Sequence, residues 1–293
     1  MVQKVLILGG TRFFGKKLVE RFIRHQAEVT IVTRGLTEDS FGDAVRRLHV
    51  DRTDADALRE ALGSEAYDLV YDNICYMPET AEEAVRLFEN RTGKYIVTSS
   101  VSVYPFDEER ISEAAFDPYS YALPDPAPAT IDYGEGKRLV EAVLFRHASF
   151  PAAAVRFPIV LGHDDYTRRL HFHVEHVQNG EPMGIPNLDA KISFIDADEA
   201  ADFLFWLGQS TVTGPVNACS DGETTPGQLL SWIEQATGKK AVVRSETEAI
   251  NRSPFGIPAS WYFDNAKAQK EGFEFRQLNE WMPKLIREIA AAD

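Results

Sequence analysis

Short apolar runs recur along the first half of the chain. Residues 4–8 (KVLIL) form a continuous run, and residues 29–33 (VTIVT) and 95–98 (YIVT) are similar. Strands that are buried on both faces of a sheet show such runs, whereas strands with one face in water alternate between apolar and polar residues. We therefore predict strands at these places. Further strands are predicted at residues 48–50, 69–71 and 153–157.

The segments between these runs carry apolar residues at helical spacing. Phe14, Leu18 and Phe22 fall on one stripe after the first strand, and Leu139 and Val143 fall on another. Apolar stripes of this kind are typical of helices that pack one face against a core. Helices are also predicted around residues 84–88, 166–178, 198–207, 226–236 and 278–289.

The alternation of strands and helices predicts the α/β class. We expect a Rossmann-like, doubly wound parallel sheet over residues 1–160 and a smaller C-terminal α/β substrate lobe over residues 161–293. Residues near 191–210 are expected to return to the first domain. The proline-rich stretch 105–129 has no clear period and predicts a long loop. Ligands of such sheets bind beyond the carboxyl ends of the strands, where we look for chemistry.

Composition argues against nucleic acid as a general partner, against structural zinc or disulfides, and against a membrane span. The chain has 31 Lys and Arg against 45 Asp and Glu, a formal net charge of −14, which argues against a general nucleic-acid binder. Its two cysteines, Cys75 and Cys219, form no CxxC pair, so zinc ribbons and disulfide frameworks are not expected. The N-terminal apolar run is too short for a membrane span and lacks a signal-peptide cleavage region. We expect a cytoplasmic protein that engages no membrane.

A glycine-rich turn joins the first predicted strand to the first predicted helix. The free N–H groups of a helix N-terminus suit the pyrophosphate of a dinucleotide. Gly9 permits a tight turn, and Gly15 permits close packing of the helix on the strand. The usual fingerprint has glycine where this chain has Arg12, so a tight turn without a ligand stays the alternative. The candidate cofactor contacts are Gly9, Thr11, Arg12, Phe13, Phe14 and Gly15.

The end of the second predicted strand bears on the choice between NAD and NADP. An acid about 20 residues past the glycines binds the ribose 2′-OH of NAD. This chain has Thr33 and then Arg34, and a guanidinium suits a 2′-phosphate. NADP is therefore favoured and NAD is possible, while a merely solvated Arg34 would carry no preference. Asp51 is a candidate acceptor for the adenine amino group, or else part of a helix cap near Asp54.

The sharpest motif is Tyr133-Gly-Glu-Gly-Lys137. Residues four apart share one face of a helix, so the lysine ammonium lies near the phenol and favours its ionised form. Such a phenol can act as acid or base on a substrate hydroxyl or carbonyl, which fits hydride transfer. A YxxxK pair alone is a weak pattern, but this is the single match among ten tyrosines.

A run of hydroxyl side chains closes the fifth predicted strand at residues 98–102 (TSSVS). These residues stand at a carboxyl strand end, where a ligand would lie. Ser100 is the candidate that donates a hydrogen bond to a substrate oxygen. The alternative is that the serines only cap the strand.

The glycine turn, the serine-rich strand end and the YxxxK pair occur along the chain in the order found in the extended short-chain dehydrogenase/reductases. The chain therefore resembles this family, which is also called the NAD-dependent epimerase/dehydratase family. The resemblance covers nearly the whole chain and is specific to the superfamily, though not to a substrate. GGTRFFG is similar to the family's glycine turn, TSSVSVY to its serine strand, YGEGK to its YxxxK pair and RFPIVLG to its sixth-strand exit.

The resemblance implies roles for individual residues. Tyr133 would be the acid/base, Lys137 its activator and ribose anchor, and Ser100 the donor to the substrate oxygen. The backbone at Phe157 and Pro158 would meet the nicotinamide end. The implied function is an NAD(P)-dependent epimerase, dehydratase or reductase that acts on a hydroxyl or carbonyl of a small, sugar-like substrate. Family members often dimerise, so a homodimer is expected.

The GGTRF form, with GHDDYTRRL at residues 162–170, is also similar to a subgroup related to chloroplast stem-loop RNA-binding proteins. This keeps a second class open, a non-catalytic nucleotide-binding or RNA-binding protein on the same fold. The acidic balance counts against RNA. The intact Ser100, Tyr133 and Lys137 count against a protein that has lost catalysis.

Four histidines between residues 163 and 176 stand beside two aspartates, Asp164 and Asp165. Histidines and carboxylates ligate zinc, so the cluster is a candidate metal site. However, His171 and His173 would point to different faces of a helix. We therefore expect no metal here.

Overall fold

Strands and helices alternate through the first half of the computed structural model, which describes residues 2–124 and 130–292. The strands are β1 (Lys4–Leu8), β2 (Glu28–Thr33), β3 (Val45–His49), β4 (Tyr67–Asp72), β5 (Thr92–Ser100), β6 (Ala152–Phe157), β7 (Ile159–Leu161), β8 (Pro182–Gly184), β9 (Phe194–Asp196), β10 (Gly214–Asn217) and β11 (Val242–Arg244). The α-helices are α1 (Phe13–Arg24), α2 (Ala55–Leu62), α3 (Pro78–Phe88), α4 (Tyr133–His147), α5 (Arg169–Asn179), α6 (Ala197–Gln209), α7 (Pro226–Thr237), α8 (Ala266–Lys270) and α9 (Leu278–Ala292).

The chain divides into two units. The first unit comprises Met1–Tyr104, Glu113–Phe157 and Ala200–Ala218. The second unit comprises Pro105–Ser112, Pro158–Glu199 and Cys219–Asp293. Of the long loop predicted over residues 105–129, residues 125–129 lie outside the described part of the chain.

Seven parallel strands form the sheet of the first unit, in the order β10-β6-β5-β4-β1-β2-β3. This arrangement confirms the predicted α/β, Rossmann-like fold. Helices cover both faces because successive strand residues point to opposite sides. In β4, Val70 belongs to the core beneath α3 and α4. The next residue, Tyr71, contacts Phe22 of α1 and donates a hydrogen bond of 3.0 Å to the Leu204 carbonyl of α6.

Two elements of the first unit were missed by the sequence patterns. The edge strand β10 has the sequence GPVN, which holds no apolar run, and it is defined by its pairing with β6. The helix α2 spans 8 residues and buries only Leu58 and Leu62. The strand therefore depends on its pairing with β6, and the helix depends on the burial of these two leucines in the core.

A buried ion pair ties β6 to α4. Arg156 and Glu141 are both 0% exposed, and the guanidinium holds the carboxylate through Nη2 at 2.5 Å and Nε at 3.0 Å. Arg156 Nη1 also donates to the Tyr104 hydroxyl at 2.7 Å and to the Glu113 carbonyl at 3.1 Å. A buried charge pair is tolerated when its remaining donors are satisfied in this way. The network therefore fixes Tyr104 and the turn at Glu113 against the sheet.

The second unit contains two small parallel pairs, β7 with β9 and β8 with β11. Its core is formed by the apolar faces of α5, α7 and α9, with residues such as Val174, Ile233 and Ile286 fully buried. The predicted helices over residues 166–178, 226–236 and 278–289 are thus present, with ends that differ from the prediction by at most three residues. Within residues 2–124 and 130–292, no helix is long and apolar enough to cross a membrane.

Candidate functional site

The strand order reverses between β1 and β4, since β1 continues along the chain to β2 on its other side. Open parallel sheets bind ligands in the crevice at such a switch point, beyond the carboxyl ends of the strands. Two backbone hydrogen bonds continue the sheet pairing just beyond the carboxyl ends of β1 and β4. The N–H of Gly9 donates to the Val32 carbonyl, and the N–H of Asn73 donates to the Leu8 carbonyl, both at 3.0 Å.

The glycine turn lies at this switch point. Gly9 has φ +80°, a conformation that glycine adopts without strain. A Cβ at Gly15 would lie 2.7 Å from the Gly9 carbonyl oxygen, so α1 approaches the turn more closely than any other residue type allows. The helix begins at Phe13, directly after the turn. The turn and the start of α1 thus form a cradle that fits the pyrophosphate of a dinucleotide.

Asn73 locks the cradle from the neighbouring strand. Its Nδ2 donates to the Gly9 carbonyl at 3.0 Å, and its Oδ1 accepts a hydrogen bond of 2.8 Å from the Thr98 hydroxyl. One amide therefore connects the glycine turn to β4 and β5. No sequence motif indicated this role for Asn73, and its place directly after a buried strand was the one available indication.

A buried acid positions the residues that follow β4. Asp72 is 0% exposed, and its Oδ2 accepts hydrogen bonds from Arg52 Nε at 2.8 Å and the Tyr95 hydroxyl at 2.7 Å. Its Oδ1 accepts from the N–H of Ile74 at 3.1 Å. Every one of these bonds restrains the loop after β4, which supplies further groups to the site.

The candidate residues for cofactor choice lie beside one another after β2 and β3. Arg12 Nε donates to the Thr37 hydroxyl at 3.0 Å, which directs Arg12 toward the loop after β2. Arg34 in that loop is exposed. Hydrogen bonds from Thr53 hold the pKa of the Asp51 carboxyl below its ordinary value, and the charge of Arg34 contributes. The helix cap is Asp54, whose side chain accepts from the Ala57 N–H.

Lys137 is the buried centre of the candidate active site. It is 1% exposed, and its Nζ donates to the Cys75 carbonyl at 2.8 Å and to the Thr98 carbonyl at 2.7 Å. Cys75 lies in the loop after β4, and Thr98 belongs to β5. Burial lowers the pKa of the Lys137 ammonium to about 8. The lysine therefore carries a positive charge at neutral pH and approaches its titration range.

Two tyrosine rings lie against this ammonium. Lys137 Nζ is 5.7 Å from the centre of the Tyr133 ring and 4.5 Å from that of Tyr76. The two ring centres are 6.3 Å apart, and both side chains are about half exposed. The predicted Tyr133–Lys137 neighbourhood is present. Tyr76 was missed because nothing in the sequence indicates that the loop after β4 lies over α4.

Two glycines bring the first turn of α4 onto its neighbours. A Cβ at Gly134 would lie 2.6 Å from the Ser102 carbonyl oxygen, and one at Gly136 would lie 2.5 Å from that of Tyr76. Glycine inside a helix costs roughly 1 kcal/mol relative to alanine, so its use needs a packing reason. The close approach supplies that reason and explains why the motif reads YGEGK.

Ser100 closes β5 near this helix turn. Its Oγ accepts from the N–H of Ser102 at 3.1 Å and donates to the Ser102 hydroxyl at 3.0 Å. Ser100 therefore caps the short 3₁₀ turn Val101–Val103 that follows β5. A serine hydroxyl has one rotatable O–H, so a donor bond from Ser100 to a ligand would replace the bond to the Ser102 hydroxyl and leave the bond from the Ser102 N–H in place.

The remaining candidates fall in different surroundings. Phe157 is buried, with its ring 5.7 Å from that of Phe14, while Pro158 starts a segment of the second unit.

The histidine cluster considered as a metal site lies in the second unit. In this cluster, His163 pairs with Glu288. Across the described residues, no group of three or more histidine, cysteine, aspartate or glutamate side chains could hold a metal ion.

Comparison with known proteins gives a family match. The profile described as the NAD dependent epimerase/dehydratase family matches residues 5–219. A curated relative, the chloroplast stem-loop binding protein of 41 kDa b of Arabidopsis thaliana, is 28% identical over 225 residues. The match covers 70% of this chain and 55% of the relative, so the chain spans about half the length of the curated relative it matches.

Solved structures share the fold. Pal from Bacillus thuringiensis has a TM-score of 0.78 at 17% identity, with 99% of each chain covered. WbmG of Bordetella bronchiseptica, in complex with NAD and UDP, has a TM-score of 0.76 at 14% identity, covering 99% of this chain and 94% of that one. The UDP-glucose 4-epimerase of Thermus thermophilus, in complex with NAD, has a TM-score of 0.72 at 16% identity, covering 99% and 100%.

Proposed function

The chain belongs to the NAD dependent epimerase/dehydratase family, and from this membership we propose that it is a nicotinamide-dependent enzyme with a Ser100-Tyr133-Lys137 site. The substrate would be a small molecule with a hydroxyl or carbonyl group, and the reaction an epimerisation, dehydration or reduction. One observation carries the proposal above the others. The buried ammonium of Lys137 lies against the ring of Tyr133, and its acceptor Thr98 is connected through Asn73 to the glycine turn.

The chain's own residues supply proton transfer and orientation. When bound, the nicotinamide would accept or return a hydride at the substrate carbon. The Tyr133 hydroxyl gives a proton to the substrate oxygen or takes one from it, and Lys137 stabilises the phenolate form. The Ser100 hydroxyl donates to the same substrate oxygen. The cradle at Gly9 and Gly15 would hold the pyrophosphate at the start of α1.

NAD has more support than NADP as the cofactor. The family description names NAD, and solved complexes with the same fold contain NAD. The preference for NADP rested on Arg34, and none of the comparisons supports it. The charge of Arg34 is the smallest of the influences on the pKa of the Asp51 carboxyl, and Arg34 itself is exposed. We therefore propose NAD, bound by the first unit, with the second unit binding the substrate.

The substrate class is proposed from the neighbours of this fold. The enzymes from Bordetella bronchiseptica and Thermus thermophilus are named for complexes with UDP or for activity on UDP-glucose. A panel of nucleotide sugars and simple sugar aldehydes, assayed with NAD and NADH, is the direct search. Turnover of a panel member that requires the cofactor supports the proposal, and a chain that binds NADH yet turns over none would favour a binding protein.

Turnover is expected to fall as the pH rises through about 8. Below that value Lys137 is charged and supports the Tyr133 phenolate, and above it the ammonium is lost, because burial has lowered its pKa to about 8. The measurement is kcat/KM against pH for the substrate that the panel identifies.

Lys94 is a matched control for this pH profile. Lys94 lies near the start of β5, and burial lowers its pKa to about 8 as well, but its Nζ donates to the Leu207 and Ser210 carbonyls. Lys94→Arg keeps a charge at that place at every pH. The alkaline decline should persist in this variant, and its disappearance would show that Lys137 is not the titrating group.

An RNA-binding function is the second candidate, since the curated relative is named a stem-loop binding protein. The net charge of −14 opposes it because phosphate backbones require positive charge. A gel-shift titration with a stem-loop RNA at physiological salt separates the two functions. We expect no specific shift, and a shift at submicromolar protein that survives competitor RNA would favour the second function.

A further inference from the structure

Tyr76 is the residue of the site that no motif indicated. Its ring centre lies 4.5 Å from Lys137 Nζ, closer than the ring of Tyr133 at 5.7 Å. Lys137 is 1% exposed, whereas Tyr76 is 47% and Tyr133 is 54% exposed. The two rings therefore lie between the ammonium and the solvent, with one side of each ring in water.

The backbone around Tyr76 is held firmly to α4. The carbonyl of the preceding residue, Cys75, accepts a hydrogen bond from Lys137 Nζ, and the carbonyl of Tyr76 is the atom that a Cβ at Gly136 would strike at 2.5 Å. The helix turn that carries the lysine and the loop that carries Tyr76 thus fit together without space for another atom. This contact fixes the backbone of Tyr76 beside the helix turn that carries Lys137.

Several titratable groups face Lys137 from the elements around it. Cys75 lies in the loop after β4, Asp72 ends β4, and Glu141 lies on the next turn of α4. The Cys75 thiol is uncharged at neutral pH, because burial raises its pKa to about 11. Asp72 is itself paired with Arg52, and Glu141 is paired with Arg156, so their negative charges are largely compensated. The exclusion of water is the largest influence on the pKa of the ammonium, and it lowers that pKa. Loss of a neighbouring ring would remove a cation–π attraction and admit water, and we expect the admitted water to have the larger effect on the pKa.

We infer that Tyr76 is a positioning residue whose ring seals the Lys137 ammonium from water and keeps it against Tyr133. The inference rests on the proposed function in assigning proton transfer to Tyr133. In a dry site, the positive charge acts on the neighbouring phenol through a lower dielectric and is therefore more effective. Two of the three N–H donors of the ammonium go to backbone carbonyls, which fixes its place beneath both rings.

The test is a pH titration of Lys137 by NMR, with ¹³Cε-labelled lysine and a Lys137→Met variant to identify the signal. Tyr76→Ala opens the ammonium to water, which favours its charged form, so its midpoint is expected to rise by about one pH unit or more. Tyr76→Phe keeps the ring and should titrate like the wild type. Tyr119→Ala is a matched control, because Tyr119 is equally half exposed but packs on Phe145.

An unchanged or lowered midpoint in Tyr76→Ala would overturn the inference, as would a Tyr76→Phe variant that titrates like Tyr76→Ala. The titration needs no substrate and no cofactor. A failure of the proposed function would instead appear as a wild-type protein that does not bind NADH. The two failures are therefore distinguishable.

Discussion

Replacing Tyr133 with phenylalanine is expected to lower turnover by about 10²- to 10⁴-fold, the range that a positioned acid or base contributes. The ring of phenylalanine keeps the contact with the Lys137 ammonium, which lies 5.7 Å from the ring centre, so the site should stay folded. Only the hydroxyl that exchanges a proton with the substrate is lost. The measurement is kcat for the substrate that the panel identifies, with the affinity for NADH measured beside it.

Tyr119→Phe provides the control for this variant. Tyr119 and Tyr133 are both 54% exposed, so the two substitutions remove equally accessible hydroxyls. We expect Tyr119→Phe to retain full turnover. If Tyr133→Phe kept turnover within about twofold of the wild type, acid–base catalysis by this residue would be wrong.

Truncation of Glu141 is expected to cost about 3–5 kcal/mol of the free energy of unfolding. Glu141→Ala leaves the guanidinium of Arg156 buried at 0% exposure without its negative partner. It also removes the acceptor of the Ser99 hydroxyl. Urea denaturation followed by circular dichroism measures the change in the free energy of unfolding.

Two further variants test whether the uncompensated charge causes this loss. Adding Arg156→Met to Glu141→Ala removes the stranded charge and should recover part of the stability. Asp56→Ala breaks an exposed pair with Arg59 in α2 and should change the stability very little. A Glu141→Ala protein as stable as Asp56→Ala would show that the buried pair contributes nothing.

The elements that could be predicted are those whose structure is set by residues close together in the sequence. Residues 5–8 of the first apolar run are buried on both faces in β1, and their composition alone predicts this burial. The edge strand β10 could not be found, because its four residues gain strand structure only by pairing with β6. The ion pair between Arg156 and Glu141 could not be predicted either, because it joins a strand to a helix and no local pattern indicates which residues of the two elements meet.

The residues of the candidate site also differ in whether a local sequence pattern indicates them. Tyr133 and Lys137 share a helix, so their neighbourhood follows from a spacing of four residues. Asn73 and Tyr76 reach the site from a different strand, through contacts that no local pattern encodes. The two glycines of YGEGK were a usable indication, because glycine in a first helical turn has a cost that close packing must justify.

Fluorescence titration of the purified protein with NADH, and with NADPH in parallel, tests the central claim most directly. The cradle formed by Gly9, Gly15 and Asn73 predicts saturable binding, and the family description predicts that NADH binds more tightly. Tighter binding of NADPH would restore the role first assigned to Arg34 and correct only the cofactor. Absence of saturable binding for both dinucleotides would contradict the account.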